Sequence, residues 1–178
     1  ELDDDAIYFP EIRVAEASYF PYLLMETLQT SAAWGAVRVV PLEHDSVDVL
    51  VSGEILKSDG ELLTLSIKVT DATGKHWYTK EYRHKASKYS YNAKMQLPKE
   101  PFQNVYNQIT NDLYLYLKTL QPNQLTKIRQ ISELKFAKSF SPNMFEGHLS
   151  QDQSGNYSVN RLPAEGDPMM VRIRQIRE

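Results

Sequence analysis

Three runs of alternating apolar and polar residues lie between Val47 and Arg83. In Val47–Ile55 the apolar set is Val47, Val49, Val51 and Ile55, with Gly53 interrupting the row. In Leu62–Thr70, Leu63, Leu65, Ile67 and Val69 alternate strictly with Thr64, Ser66, Lys68 and Thr70. Lys75–Arg83 carries bulkier groups, with Trp77 opposite in phase to Tyr78 and Tyr82. A period of two puts each apolar set on one face of a strand. The intervening SDGE and DATGK supply Gly60 and Gly74 where hairpins call for positive φ. These features predict a three-stranded antiparallel meander.

The period changes to 3.6 on either side. From Tyr19 to Trp34, Phe20, Leu23, Leu24, Leu28 and Ala32 share a helical face, with Ser18 as N-cap, Pro21 in the first turn and Gly35 as the stop. Phe102–Leu120 shows the clearest stripe: Phe102, Val105, Tyr106, Ile109, Leu113, Tyr116, Leu117 and Leu120, opposed by Gln103, Asn107, Gln108, Asn111 and Lys118. Its apolar side is expected to cover one side of the sheet. A weaker helix is expected over Leu125–Phe136. Shorter apolar alternations at Ile7–Val14, broken by Pro10, and at Ala36–Leu42 suggest two further strands. The polar, tyrosine-dotted segment after Arg83 reads as a long loop. Beyond Ser139 the composition turns rich in Gly, Ser, Asn and Pro, with a hairpin expected around Gly155 and a helix opened by Asp167 and Pro168. The order of elements predicts an α+β fold: a mixed, mainly antiparallel sheet containing the meander, with helices packed on it, and a C-terminal extension. On this reading residues 1–138 form the domain and 139–178 an extension or docking arm, expected to continue past Glu178.

Length permits one domain with a real core and a smaller appended part, at 178 residues and 42% hydrophobic content. A net charge of −3 argues against a dedicated nucleic-acid binder, whose affinity rests on clustered Lys and Arg. With no cysteine there is no disulfide, thiolate metal site or cysteine nucleophile. The longest apolar runs fall far short of the roughly 20 residues that span a bilayer. The opening ELDDDAIYFP has neither an initiator Met nor a signal pattern, which fits a trimmed start.

Catalytic signatures are missing. His44, His76, His84 and His148 show no i,i+4 pair, Ser52-Gly53 lacks the rest of a nucleophile turn, and no phosphate-cradling glycine motif occurs. Asp3, Asp4 and Asp5 lack the spaced ligands of a calcium loop. Glu54, Glu61, Asp71 and Glu81 sit at turns and wet faces, where solubility explains them. No catalytic, cofactor or metal residues are therefore assigned. The candidate interface residues are Tyr78, Tyr82, Tyr89 and Tyr91, interleaved with lysine and arginine, together with Met169, Arg172, Ile173 and Arg174 in the tail. Tyrosine, methionine and arginine are enriched at protein interfaces. The tail helix is expected to be dispensable for the core, so that removing Asp167–Glu178 leaves the melting temperature unchanged.

The succession SYFPYLLMETLQTSAAWG, AVRVVP, VDVLVSGEILKSDGE, LLTLSIKVTDATGK and HWYTKEY resembles a module of Gram-negative envelope proteins. It is shared by the amino-terminal domain of TolB, the middle domain of FlgT, the curli pore subunit CsgG and lipoprotein activators of penicillin-binding proteins. Asp48, Gly53, Asp71, Thr73 and Gly74 match the pattern, which covers Ile7 to Leu120. The resemblance implies a non-enzymatic periplasmic protein, often lipid-anchored to the outer membrane through a cysteine before Glu1. Its implied partners are other envelope proteins or a second copy, with cell-wall contact also open and no nucleic acid. A cell-wall glycan or peptide hydrolase, and a polysaccharide or small-ligand binding domain, stand as alternatives.

Overall fold

The computed structural model describes residues 10–40, 46–86 and 100–177. Expectations that rest on Asp3, Asp4, Asp5, Ile7, Pro41, Leu42, His44, Tyr89 and Tyr91 lie outside them. The architecture is α+β. Helix α1 (Pro10–Thr30) leads into the strands β1 (Val49–Ser58), β2 (Leu62–Asp71) and β3 (His76–Lys85), followed by α2 (Gln103–Thr119) and α3 (Pro122–Phe140). A small hairpin of β4 (Leu149–Gln151) and β5 (Tyr157–Val159) precedes α4 (Pro168–Arg177).

The meander forms as its periodicity predicts: an antiparallel sheet in the order β1-β2-β3. Leu63, Leu65, Ile67 and Val69 are all buried, while the residues between them are more exposed. Val105, Ile109 and Leu113 on α2 are equally buried. Side-chain pairs join β3 and α2. The Trp77 ring stacks on Tyr116 with centroids 4.6 Å apart, and the Tyr82 hydroxyl donates to Asp112 Oδ2 at 2.7 Å.

Two expectations fail near the N-terminus. Residues 10–14, read as part of a strand, belong to α1, so Ser18 and Pro21 lie inside the helix rather than at its start. Ile12 and Val14 alternate over too few residues to outweigh the helix-forming PEIRVAEA context, in which a proline at the first helical position and Glu11 in the first turn both suit a helix start. The helix ends at Thr30, before Gly35. Ser31 and Ala32 close the last turn on the carbonyls of Thr27 and Gln29, and Ala32 itself takes the left-handed conformation at φ 53°. Residues 36–40 form no strand, despite the alternation of Val37 and Val39.

α3 is longer than the pattern suggested. Pro122, which stops α2, also occupies the first turn of α3, where its missing N–H costs nothing. The Gln121 N–H donates to Gln124 Oε1 at 2.8 Å, satisfying one donor at the helix entrance.

The described chain divides into two compact units. One comprises Glu1–Val39, Ile55–Thr64 and Tyr82–Tyr114; the other comprises Val40–Glu54, Leu65–Glu81 and Leu115–Glu178. In the second unit α3 packs against α4, β4 and β5. Leu134, Ala137, Phe145, Met170 and Ile173 form a buried cluster, with Phe136, Leu149, Val159 and Met169 against it. Asp167 caps α4, its Oδ1 accepting from the N–H of Met169 at 2.8 Å and of Met170 at 3.2 Å. At the other end of α4, Arg177 Nη2 donates to Asp48 Oδ1 and Ser132 Oγ, each at 2.8 Å, and Ser132 also hydrogen-bonds Asp48. The helix is thus tied to its unit at its C-terminal end and along its buried side.

Candidate functional site

Six of the eight candidate interface residues lie among the described residues. Tyr82 is buried, Tyr78 is half-buried with its ring 6.0 Å from that of Tyr116, and Tyr89 and Tyr91 lie outside the described residues. In α4, Ile173 is buried and Met169 half-buried against α3, which covers the apolar side from within the chain. Arg172 and Arg174 are exposed, and Arg174 Nε pairs with Glu133 at 3.3 Å. The sequence pattern identified an amphipathic helix correctly. It gave no sign of which surface that helix covers.

The residues shared with the envelope-module pattern have packing roles here. Asp71 is buried, and its carboxylate accepts from the Thr73 N–H at 2.8 Å, the Thr73 hydroxyl at 2.5 Å and the Trp77 indole N–H at 2.7 Å. These bonds set the β2–β3 turn and orient Trp77 onto Tyr116. Gly74, at φ +86°, lets the turn approach the β4–β5 hairpin: a Cβ there would lie 2.5 Å from the Gly155 carbonyl oxygen. The Tyr157 N–H donates across this junction to the Thr73 carbonyl at 2.7 Å. Gly53 leaves room for Ile67, whose Cδ1 would lie 3.0 Å from an added Cβ. Asp48 receives Arg177 as described.

Two features of the first unit went unrecognised in the sequence. The first is the surface of α1. Among its described side chains Phe20 and Leu28 are buried and Leu23 and Leu24, on the same face, are half-buried, while further apolar positions lie elsewhere around the helix. Ile12, Val14, Tyr19 and Tyr22 are 53%, 70%, 48% and 47% exposed. Positions 12, 19 and 22 fall on one side at i, i+7 and i+10, while position 14 falls opposite. Both tyrosines are tethered, Tyr19 to Glu100 Oε2 at 2.9 Å and Tyr22 to Glu26 Oε1 at 2.7 Å. The hydrogen bond to the Glu100 carboxylate, and secondarily burial, raise the Tyr19 pKa above the ordinary phenol value.

The second feature is an open groove of about 810 Å³ between α1 and α2. Thr27, Gln29, Thr30 and Ser31 line it from α1 and its C-terminal turn; Gln103, Asn107, Thr110 and Asn111 line it from α2. Gln103 Nε2 bridges the walls, donating to Thr27 Oγ1 at 3.0 Å and to Asn107 Oδ1 at 3.2 Å. Gln103, Asn107 and Asn111 belong to the polar face that the helical pattern marked; Thr110 does not. Their spacing was legible; the wall opposite them was not.

Among the described residues no group of three or more His, Asp or Glu side chains gathers to hold a metal ion, and no helix is long and apolar enough to cross a membrane. In comparisons with known proteins, no family model, curated protein or solved structure matches the chain.

Proposed function

We propose that this chain is a non-enzymatic protein-interaction module of the Gram-negative cell envelope, acting in the periplasm as an accessory or assembly factor. The observation that carries the reading is the exposed apolar and tyrosine side of α1, with Ile12, Tyr19 and Tyr22 each about half exposed. Isolated exposed apolar residues are ordinary, but several on one helix, two of them tyrosines held by hydrogen bonds, suit a protein partner. The envelope setting rests on the resemblance of the helix and meander segments to the TolB, FlgT and CsgG modules.

The test has two arms. Cells expressing the complete gene are fractionated, and the product is expected with the periplasm or outer membrane; a product confined to the cytosol overturns the envelope setting. A photo-crosslinker at position 12 is expected to yield a defined adduct with another envelope protein or a second copy, and Tyr19→Asp with Tyr22→Asp to abolish it without changing the melting temperature. Purified chain that instead releases muropeptides, and loses that activity on substitution of one Asp or Glu, points to the hydrolase alternative.

A further inference from the structure

The lining of the α1–α2 groove restricts what it can hold. Among the described residues it contains no Lys, Arg or His, and the one charged group is Glu26, so an anionic ligand finds no counter-charge among them. The described lining contains no aromatic ring on which a sugar face could stack, and Leu23 is its single aliphatic side chain. Hydroxyls and carboxamides supply the remainder.

These groups divide by wall. On the α1 side the hydroxyls of Thr27, Thr30 and Ser31 already donate to the carbonyls of Leu23, Glu26 and Leu28 at 2.8, 2.8 and 2.6 Å. Each hydroxyl proton is thereby committed, which leaves oxygen lone pairs that accept. On the α2 side Gln103, Asn107 and Asn111 recur at i, i+4 and i+8, and every carboxamide carries both a donor and an acceptor. Between them lies Thr110, 6% exposed, whose Oγ1 is buried and has no hydrogen-bond partner among the described residues. A buried hydroxyl at a groove wall without a bond is uncommon, because it has lost water and gained nothing in return.

A ligand that presents N–H and C=O groups alternately, at a repeat close to that of the carboxamides, satisfies both walls. Side chains four apart on a helix are spaced by about 6 Å along its axis. Alternate residues of an extended polypeptide are spaced by about 6.6 Å. We propose that the groove between α1 and α2 binds an extended polypeptide segment through its main chain, with Asn107 and Asn111 pairing with peptide groups two residues apart and Thr110 supplying a hydroxyl to the same strand. This deepens the reading of the chain as an interaction module by naming a second, main-chain-directed contact beside the apolar surface of α1.

The probe is an uncharged octapeptide of alternating Thr and Val, acetylated and amidated, together with two isomers N-methylated at its odd or at its even residues. Binding is followed by NMR on the intact chain, through the side-chain amide signals of Asn107 and Asn111. The parent peptide is expected to shift both signals. One N-methylated isomer is expected to bind about tenfold more weakly and the other like the parent, because only one set of peptide N–H groups faces the carboxamides. Asn107→Ala with Asn111→Ala is expected to weaken the parent by about tenfold, and Thr110→Val by about fivefold. Both asparagines are exposed, so their replacement leaves the melting temperature unchanged. No shift at millimolar peptide, equal binding of the two isomers, or shifts caused by a cello-oligosaccharide and not by the peptide would each overturn the proposal. A negative peptide result beside an intact crosslink at position 12 removes the groove and leaves the module reading standing.

Discussion

Gly74 and Gly60 allow the close approach of the tail hairpin to be weighed against backbone strain alone. Both occupy hairpin turns of the meander with similar backbones, φ +86° and +79°. An added Cβ at Gly60 meets nothing within 4 Å, whereas at Gly74 it lies 2.5 Å from the Gly155 carbonyl oxygen and 3.2 Å from Asn156 Cα. Gly60→Ala therefore carries only the left-handed penalty, roughly 1–2 kcal/mol. Gly74→Ala carries the same penalty and must also push the hairpin away, lengthening the 2.7 Å bond from the Tyr157 N–H to the Thr73 carbonyl, so its total is roughly 2–4 kcal/mol. Asparagine enters the left-handed region more readily than alanine, so Gly60→Asn is expected to recover much of the loss and Gly74→Asn little of it. Urea unfolding followed by tryptophan fluorescence reads the effect, and Trp77 lies beside the Gly74 turn through its bond to Asp71. Equal destabilisation by the two alanine variants, or full rescue of position 74 by asparagine, would refute the argument that hairpin contact demands glycine there.

Tyr106 gives a pH-dependent test. Its hydroxyl is buried with no hydrogen-bond partner among the described residues, and burial first, then the charge of Glu100, raise its pKa. A raised folded-state pKa contributes stability that is complete below the unfolded value of about 10 and is lost as pH climbs towards the folded value. Tyr106→Phe is expected to hold or raise stability at pH 7 by up to about 1 kcal/mol and to flatten the decline above pH 10; a clear loss at neutral pH would mean that the hydroxyl is bonded. For the tail, Ile173→Ala is expected to cost roughly 2–5 kcal/mol, and removal of Asp167–Glu178 to lower the melting temperature by calorimetry. An unchanged melting temperature would show that the cluster around Ile173 contributes nothing to the unit.

Local chemistry along the chain determined the elements whose signals are short-range. Strict alternation in Leu62–Thr70, with glycine at both flanking turns, leaves no structure but a half-buried strand between hairpins, and the burial of Leu63, Leu65, Ile67 and Val69 follows from that period. The cap and proline at Asp167 and Pro168 likewise fixed where the last helix begins. The misreadings fell where the pattern was brief: Ile12 and Val14 alternate inside a helix, over too few residues to outweigh their context. Tertiary structure alone decided which surfaces those elements meet. Asp71 reads as a turn residue on a wet face until Trp77 folds over it, and Ile173 reads as an interface residue until α3 and Phe145 enclose it. The polar stripe Gln103, Asn107 and Asn111 reads as a solvated helix face until α1 stands opposite. A residue's period tells which way its side chain points relative to its neighbours in sequence. What waits there is set by segments tens of residues away, whose placement depends on packing that no local window contains.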